Sequence, residues 1–285
     1  MTTSQAGQAE ERRAREGAPA GDRIRVALSV AGLDPSGGAG IIADLRTFEA
    51  LGVFGTAVAT TLTYQNTWGV SGRHDLPPGV VAGQLEAVLS DFLPHAMKTG
   101  ALGRPDTIEA VARVILEHEV FPVVMDPVFA SSGGKPLIGE GGVAAFVGRL
   151  LPLAALVTPN QRELEAICGF DTFDLSDVRA ATVWVIKQGA RAVLVTGVPL
   201  EQDGAMCSAD VLFDGGEFEV FTSPWVEGLR VHGTGCVLSA AAAGYLAKGF
   251  ELREAVSLAR EAVARAIAGA VNPGSGVPCA RPDPT

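Results

Sequence analysis

The chain has 285 residues, 47% of them hydrophobic and 19% charged, with a formal net charge of −10. That composition supplies a large core and suits one α/β domain, a class that often exceeds about 200 residues undivided. The acidic balance, with no Lys/Arg run in the folded part, argues against nucleic acid or an anionic membrane as partner, and no apolar run is long enough to span a bilayer.

Residues 1–22 mix Arg12, Arg13 and Arg15 with Glu10, Glu11 and Glu16 and carry almost no apolar content, so a disordered tail is expected there. From Arg25 short apolar strands alternate with amphipathic helices. Strands are expected at 26–31, 56–64, 95–99, 120–125, 155–158 and 192–196. Helices are expected at 41–51, 83–92, 106–118, 161–168 and 175–188. The pattern then changes: 210–213 and 217–222 flank Asp214-Gly215-Gly216, a hairpin signal. Helices at 236–248, apolar on all sides, and 252–271, amphipathic, complete the fold. Repeated βα units predict a three-layer α/β/α domain over 23–278, its sheet mainly parallel with an antiparallel edge hairpin. Residues 279–285 read as a loose tail. The four cysteines (168, 207, 236 and 279) are scattered, without C-x-x-C or a nearby His pair, which argues against zinc and disulfides and for a reducing cytoplasm.

Two glycine-rich turns carry the chemistry. Gly233-Thr234-Gly235-Cys236 opens the small-residue helix, so free backbone amides and the positive end of the dipole offer an anion site. Cys236 ends that turn, where a helix N-terminus lowers a thiol pKa, and a proton acceptor beside an anion cradle suits phosphoryl transfer to a hydroxyl. Taken alone, the tetrapeptide is equally a tight turn with a buried cysteine. The second turn, Asp34-Pro35-Ser36-Gly37-Gly38-Ala39-Gly40, contains G-x-G-x-x-A, but the dinucleotide reading needs an acid about twenty residues on. No acidic residue lies between Glu49 and Asp75, and no G-x-x-x-x-G-K-[ST] exists. Between the turns lie Asp126, which follows a buried strand, and Asn160 with Glu163. That pair could share a metal-bound water or a phosphate, or simply form a capping box.

In this order, Ala31-Gly32-Leu33-Asp34-Pro35-Ser36-Gly37-Gly38-Ala39-Gly40-Ile41-Ile42-Ala43-Asp44, Gln65-Asn66-Thr67, Lys98-Thr99-Gly100, Met125-Asp126-Pro127-Val128, Thr158-Pro159-Asn160 with Glu163, and His232-Gly233-Thr234-Gly235-Cys236 resemble the ribokinase superfamily. Within it they look most like bacterial hydroxymethylpyrimidine/phosphomethylpyrimidine kinases of thiamine biosynthesis. The resemblance implies a ribokinase-like fold that binds ATP and Mg²⁺, with a commonly dimeric assembly. It implies that Gly32, Asp44, Gln65 and Val128 line the pyrimidine pocket. Gly233, Gly235 and the Cys236 amide would form the anion hole, with Cys236 the candidate base. Asn160, Glu163, Thr196 and Thr234 would serve the nucleotide, and Asp126 and Glu163 the Mg²⁺. Each role has a rival: Asp44 as a surface helix acid, Gln65 as the end of an edge strand, and His232 as a loop residue of no assigned role.

The chain also departs from that pattern. Thr196-Gly197-Val198 stands where the family usually has Lys-Gly-Gly, and Phe129-Ala130-Ser131-Ser132-Gly133 lacks a second usual lysine. Lys98, Lys135 and Arg230 are the candidate replacements. The alternatives are a pyridoxal kinase of the same branch, or a pyrimidine- or nucleotide-binding protein with weakened catalysis.

Overall fold

A computed structural model describes residues 24–228 and 230–283; the expectation for residues 1–22 lies outside the described residues. The strands are β1 (Val26–Leu33), β2 (Phe54–Asn66), β3 (Gly69–Asp75), β4 (Ala96–Thr99), β5 (Val123–Met125), β6 (Leu156–Val157), β7 (Val193–Gln202), β8 (Ala205–Phe213) and β9 (Glu219–Pro224). The helices are α1 (Gly40–Ala50), α2 (Pro78–Asp91), α3 (Pro105–Glu117), α4 (Gly142–Ala145), α5 (Gln161–Cys168), α6 (Leu175–Lys187), α7 (Thr234–Ala247) and α8 (Leu252–Ala268). Helix α4 runs on into a π-helical turn, Phe146–Leu150, and a 3₁₀ turn, Leu151–Leu153.

One sheet takes the order β3-β2-β1-β4-β5-β6-β7-β8-β9. Strands β2, β1 and β4 to β7 are mutually parallel, whereas β3 and the β8–β9 pair run antiparallel at the two edges. The strand order reverses beside β1, between its neighbours β2 and β4, and open α/β sheets bind ligands at the strand C-termini beside such a point.

Parallel strands covered on both faces need apolar side chains on both sides, and alternate residues here go to opposite layers. Leu28, Met97, Val123, Val157 and Val193 pack with α2 to α6. Their neighbours Ala27, Ala96, Val124, Leu156 and Ala192 pack with α1, α7 and α8. The all-round apolar α7 is buried along almost its whole length because it lies between the sheet, α1 and α8. Small residues let it approach closely: a Cβ on Gly244 would sit 2.8 Å from Leu51 Cδ1.

The structure differs from the sequence reading in several places, among them a β7–β8 hairpin turning at residues 203–204 where the reading had strands only at 192–196 and 210–213. The edge strand β3 went unread because Gly-Val-Ser-Gly-Arg-His-Asp has little apolar alternation, and pairing with β2 holds it. The irregular 142–153 segment has no single period. The end of the chain is not loose from residue 279. Cys279 is buried and pairs with both Val271 and His232, and Arg281 N–H donates to Ala266 O at 3.0 Å. Among the described residues, no helix is long and apolar enough to cross a membrane.

Candidate active site

A cleft of about 810 Å³ opens over the C-terminal ends of β1, β2 and β4 to β7. Its lining includes Gly32, Lys98, Asp126, Thr158 and Thr196, one on or just after each of β1 and β4 to β7. The two glycine turns, some 200 residues apart in sequence, meet at one side. A Cβ on Gly233 would overlap the Gly38 carbonyl oxygen, so two backbones touch where any larger residue would force them apart. Gly233 is the N-cap of α7 and holds φ +87°, in the left-handed region that favours glycine. The helix begins at Thr234, so the first amides without an intrahelical acceptor are those of Thr234, Gly235 and Cys236, and all three residues line the cleft. Gly233 therefore shapes the expected anion hole, and the residues after it supply the donors. Gly235 is exposed, with open space where a Cβ would point.

On the same side, Asp34 organises the turn that carries Gly38. Its Oδ1 accepts from Ser36 N–H at 2.9 Å and Ser36 Oγ at 2.7 Å, and its Oδ2 accepts from Ala39 N–H at 3.0 Å. The same Oδ2 lies 3.1 Å from Gln65 Nε2 and 3.0 Å from His232 Nε2. Burial would raise the Asp34 pKa, but the hydrogen bonds from His232 and Ser36 outweigh it and hold the carboxyl below its ordinary value. Gln65 reaches the cleft as expected, and Gly32 and the half-buried Val128 line it as well. Sequence reasoning missed Asp34 and His232 as site residues. The Asp-Pro-Ser-Gly-Gly turn was legible, but its partner lies 198 positions away.

Asp44 is placed differently from expectation. It is fully buried and does not line the cleft, because it sits on the inner face of α1, against β1 and β4. Its carboxylate accepts from Ser29 Oγ at 2.6 Å and from Lys98 Nζ at 2.9 and 3.0 Å. Lys98 lies between Asp44 and the cleft, and its ammonium is also 3.7 Å from Asp126 Oδ2. Burial opposes the ammonium, but Asp44, Cys236 and Asp126 outweigh it and raise the Lys98 pKa. The cation is thus committed to two carboxylates and is not a free replacement for a missing phosphate lysine. Asp126, buried with Ser239 Oγ donating at 2.9 Å, has its own pKa raised by burial.

Cys236 faces this buried group, and the expected thiol shift is reversed. Burial pushes it up to about 12; Lys98 pulls it down, while Asp44 and Asp126 push it further up. Desolvation, the largest of these effects, outweighs both Lys98 and the acidifying influence expected of a helix N-terminus. The resting side chain is a thiol.

Asn160 and Glu163 form the capping box, one of the two readings offered for them. The capping box of α5 is formed, with Glu163 N–H donating to Asn160 Oδ1 at 3.0 Å and Asn160 N–H to Glu163 Oε2 at 2.9 Å. Both residues nevertheless line the cleft. Burial, then the neighbouring Asp126, pushes the Glu163 pKa up to about 8. Thr196 bridges to Asn160 as a β-pair, its N–H donating to Pro159 O at 2.9 Å. Among the described residues, no group of three or more His, Cys, Asp or Glu side chains could hold a metal ion. Two repelling carboxylates, Asp126 and Glu163, suit Mg²⁺ held mainly by phosphate oxygens and water, the usual mode at nucleotide sites. They do not form an all-protein cage. Arg162 also lines the cleft.

Comparison with known proteins agrees with this geometry. The family model described as phosphomethylpyrimidine kinase matches residues 34–280. The hydroxymethylpyrimidine/phosphomethylpyrimidine kinase of Bacillus subtilis is 39% identical over 253 residues, covering 89% of this chain and 93% of that protein. The thiamine biosynthesis bifunctional protein ThiED of Geobacter sulfurreducens is 46% identical over 240 residues; this chain aligns with 48% of its length. Among solved structures, a phosphomethylpyrimidine kinase from Clostridium difficile superposes with TM-score 0.75 at 34% identity, covering 86% of this chain and 100% of that one. The ADP complex of Bacillus subtilis pyridoxal kinase gives 0.81 at 32% identity, covering 91% and 98%. With both glycine turns, the free N-terminal amides of α7 and Gln65 lining one cleft of a ribokinase-like fold, the chain belongs to the phosphomethylpyrimidine kinase family.

Proposed function

We infer that this chain transfers the terminal phosphoryl group of ATP to the hydroxymethyl oxygen of 4-amino-5-hydroxymethyl-2-methylpyrimidine, and then that of a second ATP to the phosphate of that product. The observation that carries the reading is the joining of two half-sites in one cleft. The Thr234–Cys236 amides and Gln65, anchored on Asp34, line the same cleft, and His232, two residues before Thr234, lies 2.8 Å from the Gln65 amide. Phosphoryl transfer needs alignment and charge stabilisation more than covalent chemistry. The free amides of α7 offer that stabilisation without reorganisation. Gln65 carries a donor and an acceptor on one amide, which matches the edge of an aminopyrimidine, and Val128 offers an apolar surface to the ring.

Cys236 is the proposed proton acceptor for the hydroxymethyl group, acting from the minority of molecules that carry a thiolate. Lys98 steadies that anion while Asp44 holds the lysine in place, so Asp44 serves the site from behind. Asn160, Thr196 and Thr234 are proposed to hold the nucleotide phosphates. Asp126 and Glu163 would hold Mg²⁺, which when bound neutralises phosphate charge during transfer.

Pyridoxal is the second candidate substrate, because pyridoxal kinases share this backbone at TM-scores of 0.81 to 0.82. Coupled ADP release measured with each alcohol separates the readings. Faster turnover of hydroxymethylpyrimidine is expected. Faster turnover of pyridoxal would overturn the substrate assignment, and tight binding without ADP release would overturn the kinase assignment.

A further inference from the structure

Gln65 Nε2, His232 Nε2 and Asp34 Oδ2 form a closed triangle with sides of 2.8, 3.0 and 3.1 Å. Its protons cannot satisfy all three sides. An ionised carboxylate only accepts, and a single imidazole nitrogen either carries a hydrogen or offers a lone pair. If His232 Nε2 carries the hydrogen, it donates to Asp34 and meets the Gln65 amide N–H head-on. If it offers a lone pair, it accepts from Gln65 but opposes the Asp34 oxygen. Turning the Gln65 amide by 180° lets Oε1 accept from His232, yet brings Oε1 against Asp34 Oδ2. Each amide orientation therefore gains one contact and loses another.

His232 is held firmly in this position. Its main-chain N–H donates to Pro278 O at 2.7 Å, and its main-chain carbonyl accepts from Ala280 N–H at 2.9 Å. Its ring lies so close to Gly38 that a Cβ there would be 2.5 Å from Cδ2. The Gln65 amide has hydrogen bonds only to Asp34 and His232 among the described residues, so turning it exchanges contacts within the triangle and breaks none outside it.

We propose that His232 is a specificity-determining residue, balancing the two orientations of the Gln65 amide so that one site can read two kinds of ring edge. With Nε2 on Asp34, the amide offers the cleft one N–H and Oε1, which suits a ring nitrogen beside an exocyclic amine. With Oε1 on His232, it offers N–H groups alone, which suits a pyridine bearing a phenolic oxygen. The proposal rests on the kinase reading above.

The test compares kcat/KM for hydroxymethylpyrimidine and pyridoxal in wild type, His232→Phe and His232→Gln. Phenylalanine removes the donor that supports the turned amide, so the pyrimidine-to-pyridoxal ratio should rise by about tenfold, the effect of one hydrogen bond. Glutamine restores a donor and should keep the ratio within about threefold of wild type. Parallel loss of both activities in His232→Phe, or a ratio moving towards pyridoxal, would overturn the proposal. Should His232→Phe fail to fold, imidazole ¹⁵N shifts of the wild-type protein carry the test, since the chain has only four histidines. The His232 Nε2 resonance should move when pyridoxal is added and stay in place with hydroxymethylpyrimidine. Equal responses would overturn the proposal. Wild type that turns over neither alcohol would instead sink the kinase reading, which the ratio and the ¹⁵N shifts do not test.

Discussion

At the scale of single residues, Cys236 shows how a local rule yields to its surroundings. A thiol at a helix N-terminus is ordinarily acidified, yet here burial, reinforced by Asp44 and Asp126 against the pull of Lys98, pushes its pKa up to about 12. The sign of the pH dependence follows. Below that pKa the thiolate fraction grows tenfold for each pH unit, so wild-type kcat should rise between about pH 6 and 9 wherever proton transfer limits the rate. Cys236→Ala should lose that rise and about 10²- to 10⁴-fold in kcat while binding nucleotide almost as before. Cys236→Asp should retain part of the activity. Full turnover by the alanine variant would remove the thiol from the mechanism. Lys98 illustrates the same lesson: as a sequence residue it is a spare cation, but in the fold it is shared between Asp44 and Asp126.

At the scale of elements, the junction into α7 assigns different work to its two glycines. Gly233 sits at φ +87° with the Gly38 carbonyl against it, whereas Gly235 has neither a left-handed φ nor any neighbour where a Cβ would point. Gly233→Ala should therefore disturb the fold itself, with a cost of at least about 1–3 kcal/mol from backbone strain before the clash is added. Gly235→Ala should fold with a melting temperature close to wild type. It should still lose affinity for ADP by calorimetry, because the new methyl group enters the space where phosphate oxygens would meet the amides. Equal stability of the two variants would contradict this division. The helix and its turn were readable in advance, since glycine punctuation and an apolar run are local signals. The irregular 142–153 segment and β3 were not, because packing and a pairing partner decide them.

At the scale of the whole molecule, the C-terminal segment braces two loops beside the cleft. Val277 N–H donates to Thr67 O at 2.8 Å, Gly276 N–H to Thr67 Oγ1 at 3.1 Å, and Pro278 and Ala280 clasp His232. One strap thus ties the turn after Gln65 to the loop before the anion hole. Deleting residues 278–285 removes the clasp. It should lower the melting temperature by several degrees and raise KM for the alcohol more than for ATP. An unchanged melting temperature and KM would show that the strap holds nothing that matters.

The sequence by itself determined the βα alternation, the parallel core, the two phosphate-style turns and the residues that carry the family likeness. These are written in local periodicity, in glycine placement and in motifs only a few residues long. Only the tertiary structure decided which of those residues share a surface. Asp44 went inward to meet Lys98, Asp34 and His232 met across 198 positions, and Cys279 became part of the strap. The reason is physical. Burial, proton sharing and the raised thiol pKa are set by neighbours that the chain brings together only when the sheet closes around its switch point.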